Sequence, residues 1–213
     1  MRTTAIGDTT GLQPGDIFAT KGKGPLGWVV QNLILPSTDR FHFGILWKKL
    51  PNNDFIILES IAKGLAVGKL SWYKDTDVEF YRVNCPLDLR HAAPGSLVDW
   101  GRSNYDYLLI VKIAFGALSA WVRILFTKWR FRKLTAEDLS YTRNSALICT
   151  EAPDIGYDAV GVNVIPLGVT PIPNAYRQAE IDGRMLVILK WSEYPKEVVT
   201  EDLLIVKLMP QYS

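Results

Sequence analysis

Phe41-His42-Phe43-Gly44-Ile45-Leu46-Trp47 and Phe55-Ile56-Ile57-Leu58-Glu59-Ser60-Ile61 are two apolar runs separated by Pro51-Asn52-Asn53-Asp54. Pro, Asn and Asp are turn formers, and the flanking runs are short and rich in aromatic and β-branched side chains, so the segment reads as strand, turn, strand. Upstream, Gln13-Pro14-Gly15-Asp16-Ile17-Phe18-Ala19-Thr20 reads as a turn feeding another strand. Downstream, Gly64 to Leu70 and Val78-Glu79-Phe80-Tyr81-Arg82-Val83 add two more, the last alternating in and out. An antiparallel sheet therefore fills the first half of the chain.

Gly22, Gly24, Pro25 and Gly27 loosen the chain before Trp28 to Leu35, an apolar stretch read as a short helix. These glycines lack the order and the following Lys-Ser/Thr of a phosphate-binding loop, which argues against a nucleotide site. The second half changes character. Helices are expected around Pro94 to Arg102, from about Tyr105, and near Cys149, with late strands at Met185 to Lys190 and Leu203 to Leu208. Strands segregated from helices indicate an α+β fold. The 213 residues are 48% hydrophobic, enough for one substantial core, so 1–213 is read as a single domain with a helical insertion around 105–133.

A formal net charge of +2 gives no argument for nucleic acid as a partner. The N-terminus lacks the apolar core of a secretory signal, so cytoplasmic synthesis without a signal peptide is expected, with a virion or the membrane surface as later destinations. Leu108 to Phe126 approaches the length of a bilayer-spanning helix, but Lys112 and Arg123 interrupt it. A buried amphipathic helix fits better. The basic and aromatic run that follows, within Trp121 to Lys133, is a candidate contact for an anionic membrane or another protein, against the plainer reading of a solvated helix end.

Two cysteines and two histidines make the candidate nucleophiles and bases easy to enumerate. Neither the cysteines nor the histidines have zinc or redox spacing, so no metal and no cofactor is expected. Cys85 stands before Pro86 at a strand end with nothing to activate it, and reads as structural. Cys149 follows Ala146-Leu147-Ile148 and precedes Thr150-Glu151-Ala152, the setting of a helix start, where unpaired N–H groups favour a thiolate and a developing oxyanion. His91 is expected in a surface loop. His42, between Phe41 and Phe43, is either a structural strand histidine or a base. Glu59 is costly to bury among Ile57, Leu58 and Ile61 without a partner, and it lies on the strand next to His42.

Several of these residues, in this order, carry a resemblance. Pro14-Gly15-Asp16-Ile17, His42-Phe43-Gly44-Ile45, Leu58-Glu59-Ser60 with Gly64 and Val67, Tyr105-Asp106-Tyr107-Leu108, Cys149-Thr150-Glu151 and Val169-Thr170-Pro171 together resemble the YiiX/YebB-like branch of circularly permuted NlpC-type papain-like cysteine hydrolases. The likeness runs from about Leu12 to Tyr176. It implies a permuted papain-like fold, with an antiparallel sheet packed against helices. It also implies Cys149 as nucleophile, His42 as base and then acid, and Glu59 orienting the imidazole, with Tyr105 or Tyr107 as an oxyanion or substrate hydroxyl. The substrate implied is a peptide, first of the cell wall, or second an acyl lipid. The alternative is a structural or binding component of a phage particle or other cell-wall-penetrating assembly that uses the same fold. One departure stands out: Pro153 so soon after Cys149 requires the helix to begin near the cysteine or to kink there.

Overall fold

Period-two alternation and short apolar runs set the sheet, and every strand read between Ile17 and Val83 forms. The computed structural model describes residues 2–4, 7–21, 31–32, 34–101, 115, 122, 134–136 and 148–191. Its strands are β1 (Arg2–Thr4), β2 (Ile17–Lys21), β3 (Ile34–Leu35), β4 (Arg40–Lys49), β5 (Phe55–Ile61), β6 (Gly64–Lys69), β7 (Val78–Val83), β8 (Leu134–Thr135) and β9 (Met185–Trp191). Its helices are α1 (Leu87–Ser96), α2 (Glu151–Asp158) and α3 (Pro173–Ile181), with 3-10 turns at Leu70–Tyr73 and Leu97–Trp100. The main sheet has the order β1-β9-β7-β2-β4-β5-β6. All of its pairings are antiparallel except β1 with β9. The fold is mixed α+β, as the separation of strands from helices indicates.

The two faces of the sheet are covered differently. On one, Ile17, Phe43, Ile45, Leu58, Tyr81 and Met185 pack with Ala93 of α1, Leu97 just after it, Ile155 and Tyr157 of α2, and Ala175, Tyr176 and Ala179 of α3. On the other, Phe18, Leu46, Phe55, Ile57, Phe80, Leu189 and Trp191 are covered by Leu12 and by Leu70 of the first 3-10 turn. Burying each such side chain contributes about 1.5–3 kcal/mol.

A knot of polar contacts joins the layers at the Pro14-Gly15-Asp16 turn. Asp16 is fully buried and takes Arg82 Nε and Nη2 on its two oxygens at 2.8 and 2.7 Å, while the Gln13 N–H donates to it at 2.7 Å. Gly15 N–H donates to Leu46 O, Leu46 N–H donates to Asp16 O, and the buried Tyr157 hydroxyl donates to Gly15 O at 2.6 Å. Gly15 has φ +88°, and a Cβ there would lie 2.1 Å from the Arg90 carbonyl oxygen. Arg90 stands four residues before Pro94, which has no N–H to occupy that carbonyl.

Three sequence expectations are corrected. The helix read from Pro94 starts at Leu87: Pro86, at φ −52° and ψ 146°, sets the boundary, and Pro94 falls in the last turn. His91 consequently sits on α1, exposed, and not in a loop. Of the helix expected over Trp28 to Leu35, Gln31 and Asn32 are helical, but Ile34–Leu35 is strand, paired in parallel with β8. Pro36 disfavours helical backbone at Leu35, which pushes this end of the segment towards extended structure. Tyr105, Tyr107, the strand at Leu203 to Leu208 and the 105–133 insertion lie outside the described residues, apart from Phe115 and Val122, which are helical and exposed. Among the described residues, no helix is long and apolar enough to cross a membrane.

Candidate active site

Strand β4 carries His42 because a register break re-aims its start. Thr20 pairs with His42 and Lys21 with Arg40, so Phe41 is the extra residue of a bulge, left without a ladder partner on β2. The Phe41 carbonyl is thereby available to another group, and the Cys149 thiol donates to it at 3.7 Å. The bulge also delivers the buried Arg40 to ion pairs with the part-exposed Asp39, Asp77 and Glu79, which anchor the strand end.

Two residues further along β4, Gly44 pairs with Phe18 on one side and Glu59 on the other. A Cβ on Gly44 would lie 2.4 Å from the Phe18 ring, so only glycine lets that ring lie across the strand. Glu59 is 4% exposed and accepts from His42 Nε2 at 2.5 Å and from the Tyr73 hydroxyl, both on Oε2. Burial without such donors would cost a carboxylate several kcal/mol (on the order of 2–7 even for a neutral polar group).

Cys149 is placed by α2. Thr150 is the N-cap residue, and Pro153 falls in the first turn, where a missing N–H costs nothing, so the helix begins just after the cysteine. The turn is locked by Glu151, whose carboxylate accepts the Ile148 N–H at 2.6 Å while its own N–H donates to Ile148 O at 3.1 Å. Tyr176 donates its hydroxyl to Thr150 O at 2.6 Å and stacks on Phe43 with ring centroids 4.5 Å apart. Helix α3 thus ties the turn holding Cys149 to β4.

His42 bonds to Glu59 and lies close enough to Cys149 for the two to interact electrostatically. Burial pushes the imidazole pKa down, but the interactions with Cys149 and Glu59 outweigh it and hold the group at about 9. A group held there carries its proton at neutral pH.

Cys149, His42 and Glu59 are therefore brought together, whereas Cys85 remains a separate, half-buried free thiol whose pKa burial pushes up. Tyr73 was not legible as a site residue. Its signal is Gly68, which faces Ile57 and Glu59 across the hairpin and leaves room for the turn that follows. Two cavities, of about 500 and 350 Å³, flank α3, and neither is lined by the three site residues. Among the described residues no group of His, Cys, Asp or Glu is arranged to hold a metal ion. No protein-family model and no curated protein matches the chain.

Proposed function

We propose that this chain is a thiol hydrolase of the permuted papain-like type that cleaves an amide or ester bond through Cys149, His42 and Glu59. The observation that carries the reading is His42 held between a cysteine at a helix start and a buried carboxylate. In the acylation step the Cys149 thiolate forms a C–S bond to the substrate carbonyl carbon, and the carbonyl electrons move onto oxygen facing the Cys149 N–H. As the oxyanion collapses, the bond to the leaving nitrogen or oxygen breaks, and His42 supplies the proton that this atom takes. The neutral imidazole then removes a proton from water, which attacks the thioester and returns Cys149 as thiolate and His42 as imidazolium. Glu59 keeps the ring in one orientation throughout.

The substrate class favoured is a cell-wall peptide, with an acyl lipid second. Turnover of peptidoglycan stem peptides and of acyl esters by the wild type, compared with Cys149→Ala, tests the reading. The variant should keep its circular dichroism spectrum and lose all turnover, while Cys85→Ser keeps it. Retained turnover in a folded Cys149→Ala protein would sink the proposal.

A further inference from the structure

Tyr73 closes a 3-10 turn that is pinned at both ends. Ser71 donates its N–H and its hydroxyl to the Asp54 carboxylate at 3.1 and 2.7 Å, and the Thr76 N–H and hydroxyl donate to Tyr73 O at 3.0 and 2.7 Å. The turn folds over Gly68, where a Cβ would sit 3.1 Å from the Trp72 ring and 3.2 Å from Glu59 Oε1. Its phenol ring lies nearly parallel to the His42 ring, at 23° with centroids 6.2 Å apart, and Phe18 packs against both, 5.1 Å from Tyr73 and 6.4 Å from His42.

We infer that Tyr73 is a positioning residue of the catalytic set, holding the rotation of the Glu59 carboxylate and sharing the one oxygen, Oε2, that orients His42. The inference rests on reading Cys149, His42 and Glu59 as that set. A carboxylate with a single partner swings about its terminal bond, whereas a second donor arriving on the same oxygen from a rigid turn fixes which oxygen faces the imidazole. Sharing has an electrostatic consequence as well. The phenol draws charge from Oε2, so His42 feels less of the carboxylate than it otherwise would. Burial, then the hydrogen bond and charge of Glu59, push the Tyr73 pKa up, which keeps the phenol a donor at every working pH. Among the described residues, the titratable groups acting on Tyr73 and His42 are Glu59 and Cys149.

The roles of Glu59 and Tyr73 therefore have opposite signs at His42, which a merely structural tyrosine would not produce. The chain has two histidines, and His91 is exposed, so NMR can follow the His42 ring titration with an internal reference. In the full chain carrying Cys149→Ala, Glu59→Gln should lower the His42 pKa, and Tyr73→Phe should raise it by about one unit. With Cys149 restored, Tyr73→Phe should lower kcat about tenfold with KM unchanged. The phenylalanine keeps the ring against Phe18, and a urea midpoint unchanged to within about 0.5 M checks that the fold is intact. No shift in His42, or a shift downward as with Glu59→Gln, overturns the inference. Failure of the underlying reading is seen separately: His42→Ala would then leave the alkylation rate of Cys149 unchanged in a Cys85→Ser background.

Discussion

Replacing Arg82 with leucine probes the knot on which both halves of the site depend. Asp16 is fully buried, and both its oxygens are taken by the Arg82 guanidinium. Burial already pushes the Asp16 pKa up, opposed by the hydrogen bond and charge of Arg82 and by the Gln13 N–H. Without Arg82, a buried carboxylate keeps one backbone donor and loses its hydrogen-bonded countercharge, with Arg90 the positive group left to act on it. Breaking a buried pair from one side costs about 3–5 kcal/mol, and leucine retains much of the packing, so the loss is mainly electrostatic. With a urea dependence of about 2–3 kcal/mol/M, the unfolding midpoint should fall by roughly 1–2 M at pH 7. The pH dependence is signed. Because the folded-state pKa lies above the ordinary aspartate value and rises further in the variant, protonation favours the folded form, and part of the lost stability should return as the solution is acidified. Adding Asp16→Asn should restore most of it at neutral pH. A midpoint loss under about 0.3 M, or a loss independent of pH and unrelieved by Asp16→Asn, would refute the reasoning.

Other outcomes follow from single contacts. Gly44→Ala should destabilise by about 1–3 kcal/mol in thermal or urea unfolding, since its methyl would press on the fully buried Phe18 ring. Tyr176→Phe leaves the Thr150 carbonyl without its buried donor and should cost about 1–3 kcal/mol, with slower alkylation of Cys149 as the turn loosens. Turnover should fall as pH rises through about 9, because His42 is protonated below that value and must give its proton to the leaving group. A rate–pH profile locates that limb, and a flat profile to pH 10 would contradict it.

Strands were legible where alternation is regular and pairing is local. Val78–Val83 forms with the bounds its in-and-out pattern indicates, and the Phe41 and Phe55 runs pair as a hairpin around Pro51 to Asp54. The bulge at Phe41 was not legible, because an extra residue breaks register without disturbing composition. Nor was β3, whose partner β8 lies far along the chain. Pro94 misled as a helix start because proline also fits a last turn, and the carbonyl it frees, Arg90 O, packs close over Gly15, which has no Cβ in its way. At the site, Cys149 and Glu59 announced themselves through helix-start context and the cost of burying a carboxylate. Tyr73 stayed silent, since a tyrosine in a polar turn is ordinary until Glu59 is seen beneath it.

The Phe41 carbonyl and the Cys149 thiol meet across 108 positions of sequence. A chain emerging in order presents the strand with His42 long before the cysteine exists, and the cysteine then has to find a sheet already made. Closing so long a loop is slow and is among the last things such a topology does. Until then the turn at Cys149 lacks the strand that carries His42. The joining of these two distant segments is therefore a late event of folding, and any chemistry that needs both Cys149 and His42 waits on it.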